Sequence, residues 1–200
     1  MLLIHDVSGL ARKTLQVTAL WAAVGLVGCA TTTQVVRPTG PLQARDFMPL
    51  RRDAAWSYDA QDLTNGGPRT LVTLRVVAQN SGQYVVQQGV GSTANYSYAQ
   101  GGILRNGETI LAEPIVVGTS WQGMQGDTYS IRAVGLRRTT PAGTFTNVIE
   151  VARNGREGFV ERTWYAHGVG AIESNTPVVV GQQIREFRLT LRGYTLNGEY

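Results

Sequence analysis

Cysteine occurs once in this 200-residue chain, at Cys29, so no disulfide can form within it. The fold must be held by packing and hydrogen bonds alone. Lysine also occurs once, at Lys13, and every cation downstream is arginine. Arginine suits planar, bidentate contacts with phosphate and carboxylate. Here the arginines are dispersed: downstream of Lys13 the adjacent pairs are Arg51-Arg52 and Arg137-Arg138. No basic cluster is interleaved with aromatics, so no nucleic-acid partner is expected. The histidines are two, His5 and His167. One cysteine and two histidines cannot assemble the usual zinc ligand set. Asp46, Asp53, Asp59 and Asp62 match no calcium-loop spacing. Gly89-Val90-Gly91-Ser92 lacks the lysine of a phosphate loop. No metal or cofactor is therefore expected. Long apolar runs are missing too. The best, Leu15 to Gly28, falls short of the ~20 apolar residues a spanning helix needs. Beyond Cys29 no segment keeps a 3.6-residue period over a helical length.

What is present begins with Arg12-Lys13, followed by the apolar stretch Leu15 to Gly25 and then Leu26-Val27-Gly28-Cys29. A basic region, a short apolar region and small residues make the layout of an export signal. A cysteine directly after Leu-x-Gly resembles a bacterial lipoprotein signal. The resemblance implies recognition through Leu26, Gly28 and Cys29, cleavage between Gly28 and Cys29, and acylation of Cys29. It also implies membrane attachment through those acyl chains, since two chains anchor stably where one binds marginally. Ala30 resembles the default outer-membrane sorting position of Gram-negative cells. The expected location is the cell envelope: the outer membrane, on its periplasmic face or surface, if the cell has one. The basic region is long and contains His5 and Asp6, which suggests a start codon downstream of Met1.

Residues 1–28 are thus read as a signal peptide and 29–46 as a flexible tether rich in Thr, Gln and Pro. Residues 47–200 are read as a single antiparallel β domain. Val72, Leu74, Val76 and Ala78 alternate with polar neighbours, as do Phe187, Leu189 and Leu191. Asn80-Ser81-Gly82-Gln83, Asn106-Gly107, Asn154-Gly155 and Pro141-Ala142-Gly143 are turn signals. Ten strands are predicted, near 54–59, 70–79, 83–90, 94–100, 102–105, 109–112, 127–139, 144–153, 158–166 and 184–195. Short strands closely spaced with turns predict an all-β fold: a strongly curved sheet, half-barrel, barrel or sandwich.

Two stretches carry a further resemblance. One is Phe47-Met48-Pro49-Leu50 with Trp56-Ser57-Tyr58. The other is Pro141-Ala142-Gly143-Thr144-Phe145-Thr146-Asn147, leading to Tyr165-Ala166-His167-Gly168-Val169-Gly170. They are similar to uncharacterised bacterial lipoproteins and periplasmic proteins, over roughly residues 47–60 and 139–174. The resemblance implies a β-rich envelope domain and transfers no catalytic residue. In the second stretch, Phe145, Ile149 and Val151 are expected to share one inward face.

Chemistry-bearing candidates are few. His167 is the only histidine after Cys29, in a glycine-rich turn that suits a solvated side chain. Glu157 and Glu161 are the pair a glycosidase reading would use. Trp56, Trp121 and Trp164 are candidates to line a ligand groove. The leading expectation is a non-enzymatic, lipid-anchored envelope protein. Its β domain would bind an envelope protein, a cell-wall polymer or an apolar ligand, or serve a structural role. The alternatives are an envelope hydrolase using paired carboxylates, or a carrier of an apolar ligand. Two carboxyls facing across a cleft would favour the hydrolase. An apolar cavity would favour the carrier.

Overall fold

The structure, a computed structural model, describes residues 40–155 and 158–196. Cys29, its flanking Leu26 and Gly28, and Glu157 lie outside the described residues. Twelve strands form a single antiparallel sheet: β1 (Ala55–Asp62), β2 (Thr70–Asn80), β3 (Gln83–Gln88), β4 (Ser92–Ala99), β5 (Gly102–Arg105), β6 (Glu108–Ala112), β7 (Ser120–Gln122), β8 (Thr128–Thr140), β9 (Gly143–Asn154), β10 (Val160–Ala166), β11 (Gly170–Val180) and β12 (Gln183–Thr195). Their order is β6-β5-β4-β3-β2-β1-β12-β11-β10-β9-β8-β7. Each half is a meander, and the first and last strands join the halves. The sheet curls until its edges, β6 and β7, nearly meet, which makes an almost closed barrel.

Two of the predicted turns carry the left-handed residues expected of them, whereas Asn154-Gly155 does not: neither residue is at positive φ, and a longer connection separates β9 from β10. Ser81-Gly82 and Asn106-Gly107 sit at positive φ, 47° and 78°, then 51° and 86°. Both are tight two-residue hairpins of the kind that require left-handed residues. The strands β7 and β11 depart from the sequence reading. The eleven residues of β11 include Ser174, Asn175 and Pro177, which read as loop. Ser174 and Asn175 are held extended by β10 on one side and β12 on the other, and Pro177 by β12 alone.

Register sorts side chains into inner and outer rows. Val151, Thr163, Ser174, Leu189 and Ala60 follow one another across five strands and face inward. Glu150, Trp164, Glu173, Thr190 and Asp59 form the neighbouring outward row. The expected face shared by Phe145, Ile149 and Val151 breaks within the strand. Asn147 lies at φ 54°, and the register of β8 and β9 shifts between Leu136 and Arg138. Phe145 therefore packs against Tyr194, while Ile149 and Val151 are buried.

One barrel end is sealed. A 3₁₀ turn, Ala44–Phe47, buries both its terminal residues, so core packing begins inside the stretch read as tether. Gly168 N donates to Asp46 O at 2.6 Å, and Ala44 N donates to Glu113 Oε1 at 2.8 Å. Trp56 Nε1 donates to Val169 O at 2.7 Å. Gly170, at φ 115°, lets the chain pass over this indole, since a Cβ there would lie 3.1 Å from Nε1.

Candidate functional site

Above the sealed end the barrel holds a partly open cavity of about 540 Å³, within the range of small-molecule sites. Its apolar wall includes Leu74, Ile110, Val151 and Leu189. Its polar lining includes four phenols, Tyr58, Tyr96, Tyr129 and Tyr165, beside Gln88, Thr163, Ser174 and several charged side chains. Strand alternation explains their convergence. Tyr58 and Tyr165 come from β1 and β10, Tyr96 from β4 and Tyr129 from β8, each on an inward-facing position.

Burial decides the state of these phenols. It pushes Tyr58 and Tyr165 far above the ordinary tyrosine value, and neighbouring tyrosines add to both shifts. Tyr96 is also raised by burial, with Arg105 and a hydrogen bond to Gln88 opposing the shift. Tyr129 is raised by burial first, with Arg153 opposing and Glu108 reinforcing. All four are neutral near pH 7. They can donate or accept hydrogen bonds but cannot serve as bases there. Tyr58 Oη already donates to Ala171 O at 2.8 Å.

The mouth lies at the opposite end from the 3₁₀ turn, where Arg105, Glu108, Arg153 and Glu161 line the opening. Its charges are largely committed. Arg153 Nε and Nη2 both donate to Asp127 Oδ2, at 2.8 and 2.5 Å, and Nη1 donates to Glu161 Oε2 at 3.4 Å. Glu108 Oε1 accepts from Met124 N at 2.9 Å. Arg105 Nη2 donates to Gln88 Oε1 at 3.3 Å. A smaller cavity of about 280 Å³ shares Arg153, Glu161 and Thr176 with this rim.

The gap between β6 and β7 is bridged by side chains instead of a backbone ladder. Trp121 Nε1 donates to Thr109 O at 2.8 Å. Its ring stacks on Tyr129, with centroids 5.4 Å apart and an interplanar angle of 7°. Tyr129 in turn lies 5.6 Å beneath the Arg153 guanidinium. Gly123 belongs to this seam, because a Cβ there would meet Tyr129 Cε2 at 2.5 Å and Glu108 Oε1 at 2.7 Å.

The three tryptophans are thus not gathered round the cavity. Trp56 is 1% exposed in the sealed end. Trp164 is 3% exposed on the outer row, where Arg138 lies 3.8 Å over its ring and Glu150 Oε2 accepts from Nε1 at 3.2 Å. Trp121 closes the seam. His167 packs edge-on against Phe47, with Nε2 3.9 Å from Asp46 Oδ2, at the end away from the mouth. Among the described residues, no group of three or more His, Cys, Asp or Glu is placed to hold a metal ion. No described helix is long and apolar enough to cross a membrane.

No protein-family model matches the chain, and no curated protein matches it. Two solved structures resemble it. One is a candidate lipoprotein from Parabacteroides distasonis ATCC 8503, 12% identical, with a TM-score of 0.40, covering 77% of this chain and 100% of its own. The other is a candidate exported protein with a YmcC-like fold from Bacteroides fragilis NCTC 9343, 11% identical, with a TM-score of 0.40, covering 74% of this chain and 98% of its own. Likenesses this distant decide nothing about the chain, and the reading of its site rests on its own residues.

Proposed function

We propose that this chain is a lipid-anchored cell-envelope protein that holds an apolar small molecule inside its barrel and performs no chemistry on it. The carrying observation is the cavity of about 540 Å³, where Leu74, Ile110, Val151, Leu189 and four neutral phenols make one part of the lining and charged side chains the rim. Such a surface suits a ligand with an apolar body and a few hydrogen-bonding groups. The carboxylates at the mouth support binding over hydrolysis. Glu161 accepts from Arg153 and Glu108 from the Met124 amide, so neither is a carboxyl isolated in an apolar pocket, the setting that raises an acid for catalysis. The Leu26-Val27-Gly28-Cys29 signal supports the envelope location, and Ala30 the outer membrane in a Gram-negative cell.

Native mass spectrometry of the protein extracted from cell membranes tests the binding role. The expected result is a non-covalent adduct of reproducible mass. Leu189→Trp, which pushes an indole into the cavity, is expected to deplete that adduct while keeping a β-dominated circular dichroism spectrum. A chain that carries no adduct as isolated, and acquires none from an extract of envelope lipids, overturns the proposal.

A further inference from the structure

We infer that the ligand is a long-chain carboxylic acid, its carboxylate received by Arg105 and the Tyr165 hydroxyl and its chain lying along Leu74, Ile110, Val151 and Leu189. The inference rests on the proposal that the cavity holds an apolar small molecule, and it names the polar end of that molecule.

Tyr165 is the cavity phenol without a partner. Tyr58 Oη donates to Ala171 O, Tyr96 bonds with Gln88 and Tyr129 with Glu108. Tyr165 is 7% exposed and lines the cavity. Among the described residues its hydroxyl makes no hydrogen bond. Leaving a buried hydroxyl unsatisfied is unfavourable. A ligand oxygen in the cavity would accept from it.

Arg105 supplies the charge. In the β4–β5–β6 meander it pairs with Tyr96 on one side and Glu108 on the other. A glutamate directly across from an arginine is its natural partner, yet these two form no ion pair. Glu108 turns to the seam, where it accepts from the Met124 amide and bonds with Tyr129. Arg105 is left with the neutral Gln88 amide, Nη2 to Oε1 at 3.3 Å. The other charged side chains of the lining have ionic counterparts. Arg153 holds Asp127 and Glu161, and Glu173 holds Arg138 and Arg188. Among the described residues Arg105 is therefore the cavity's cation without an anion. Its charge acts on both Tyr96 and Tyr165, so the guanidinium and the free hydroxyl stand close to one space.

The group that fits there carries one negative charge and more than one acceptor oxygen. A carboxylate meets the planar guanidinium with its oxygens and accepts from the phenol as well. A phosphate brings further charge, for which no second unpaired cation lines the cavity. Arg105 is exposed at the rim. The head thus sits at the mouth, hydrated on one side, and the chain points inward, where its methylenes leave water.

The test uses the full chain in lipid nanodiscs and two photoreactive probes, palmitic acid and hexadecanol, each with a diazirine in its chain. Labelling that Leu189→Trp removes is counted as cavity labelling. Arg105→Gln is expected to raise the half-saturating concentration of the palmitic acid probe about ten-fold and to leave the uncharged hexadecanol probe unchanged. Tyr165→Phe, which keeps the ring, is expected to weaken both probes. Equal effects of Arg105→Gln on the two probes, or no effect on palmitic acid, overturn the inference while the cavity reading stands. So does a Tyr165→Phe chain that takes palmitic acid as before, or a hexadecyl phosphate competitor that displaces the probe better than palmitic acid does. No cavity labelling by either probe overturns the cavity reading and this inference with it.

Discussion

A half-buried phenol can hold two pieces of backbone together, as Tyr98 does at the sealed end. Its Oη donates to Met48 O at 2.7 Å and accepts from Leu50 N at 2.6 Å. Burial pushes its pKa up to about 12, although Leu50 N opposes the shift, while an unfolded tyrosine titrates near 10. The folded state therefore holds the proton more tightly. The stabilisation is whole below about pH 10 and is lost as pH rises through about 12. Tyr98→Phe is expected to make the alkaline fall in stability shallower over this window. At neutral pH it should cost ~1–3 kcal/mol, because two buried backbone groups lose their partner. Denaturant unfolding followed by tryptophan fluorescence between pH 7 and 12 checks both, and an unchanged alkaline slope would remove Tyr98 from the account. The aromatics also show where residue-level reading stops. Period-two alternation places Trp164 and Tyr165 on opposite faces. It does not say which face becomes concave, so the tryptophans read as candidate lining while the phenols took that place.

At the scale of elements, the C-terminal strand was legible. Leu189 and Leu191 face inward and Arg188 outward, as the alternation predicts. What the alternation could not supply is the emptiness beside Leu189. Leu191 is fully buried, whereas Leu189 borders the cavity. Leu191→Ala is expected to cost ~2–5 kcal/mol, and Leu189→Ala less than about 2 kcal/mol, since it enlarges an existing space instead of opening a new enclosed one. Arg188→Ala should cost about 0–1 kcal/mol, because its contacts to Asn175 and Glu173 are partly solvated. Thermal unfolding of the three variants measures this order. Equal losses for the two leucines would show that the space beside Leu189 is filled. Strand β11 was illegible for a different reason. Ser174, Asn175 and Pro177 interrupt its β-branched residues, and ladders to β12 and, as far as Asn175, to β10 hold it extended.

For the whole molecule, the decisive arrangement is a barrel closed by different means at each place. Backbone ladders join eleven strand pairs, the 3₁₀ turn seals one end, and Trp121, Tyr129 and Glu108 bridge the remaining seam. A seam without a continuous ladder is the part of the wall that opens at least cost. The proposed attachment to a membrane rests on Cys29, outside this barrel. Cys29→Ser is expected to abolish incorporation of a fatty-acid analogue and to release the protein from membranes. Retained labelling together with membrane fractionation would show that the anchor lies elsewhere.

The sequence by itself determined what depends on neighbours along the chain. The order of charge, apolar run and Gly28-Cys29 gives the expectation of an export signal. Alternation reads as strands, and Ser81-Gly82 and Asn106-Gly107 as tight turns, because those signals act over two to twenty residues. Only the tertiary structure decided that β1 pairs with β12, that the sheet curls inward and that Tyr58, Tyr96, Tyr129 and Tyr165 meet in one cavity. Those outcomes depend on long-range register and on the twist and bulges summed over twelve strands, such as the shift between Trp164 and Tyr165. One displaced residue inverts which side chains face inward, and no local pattern records where the displacement falls.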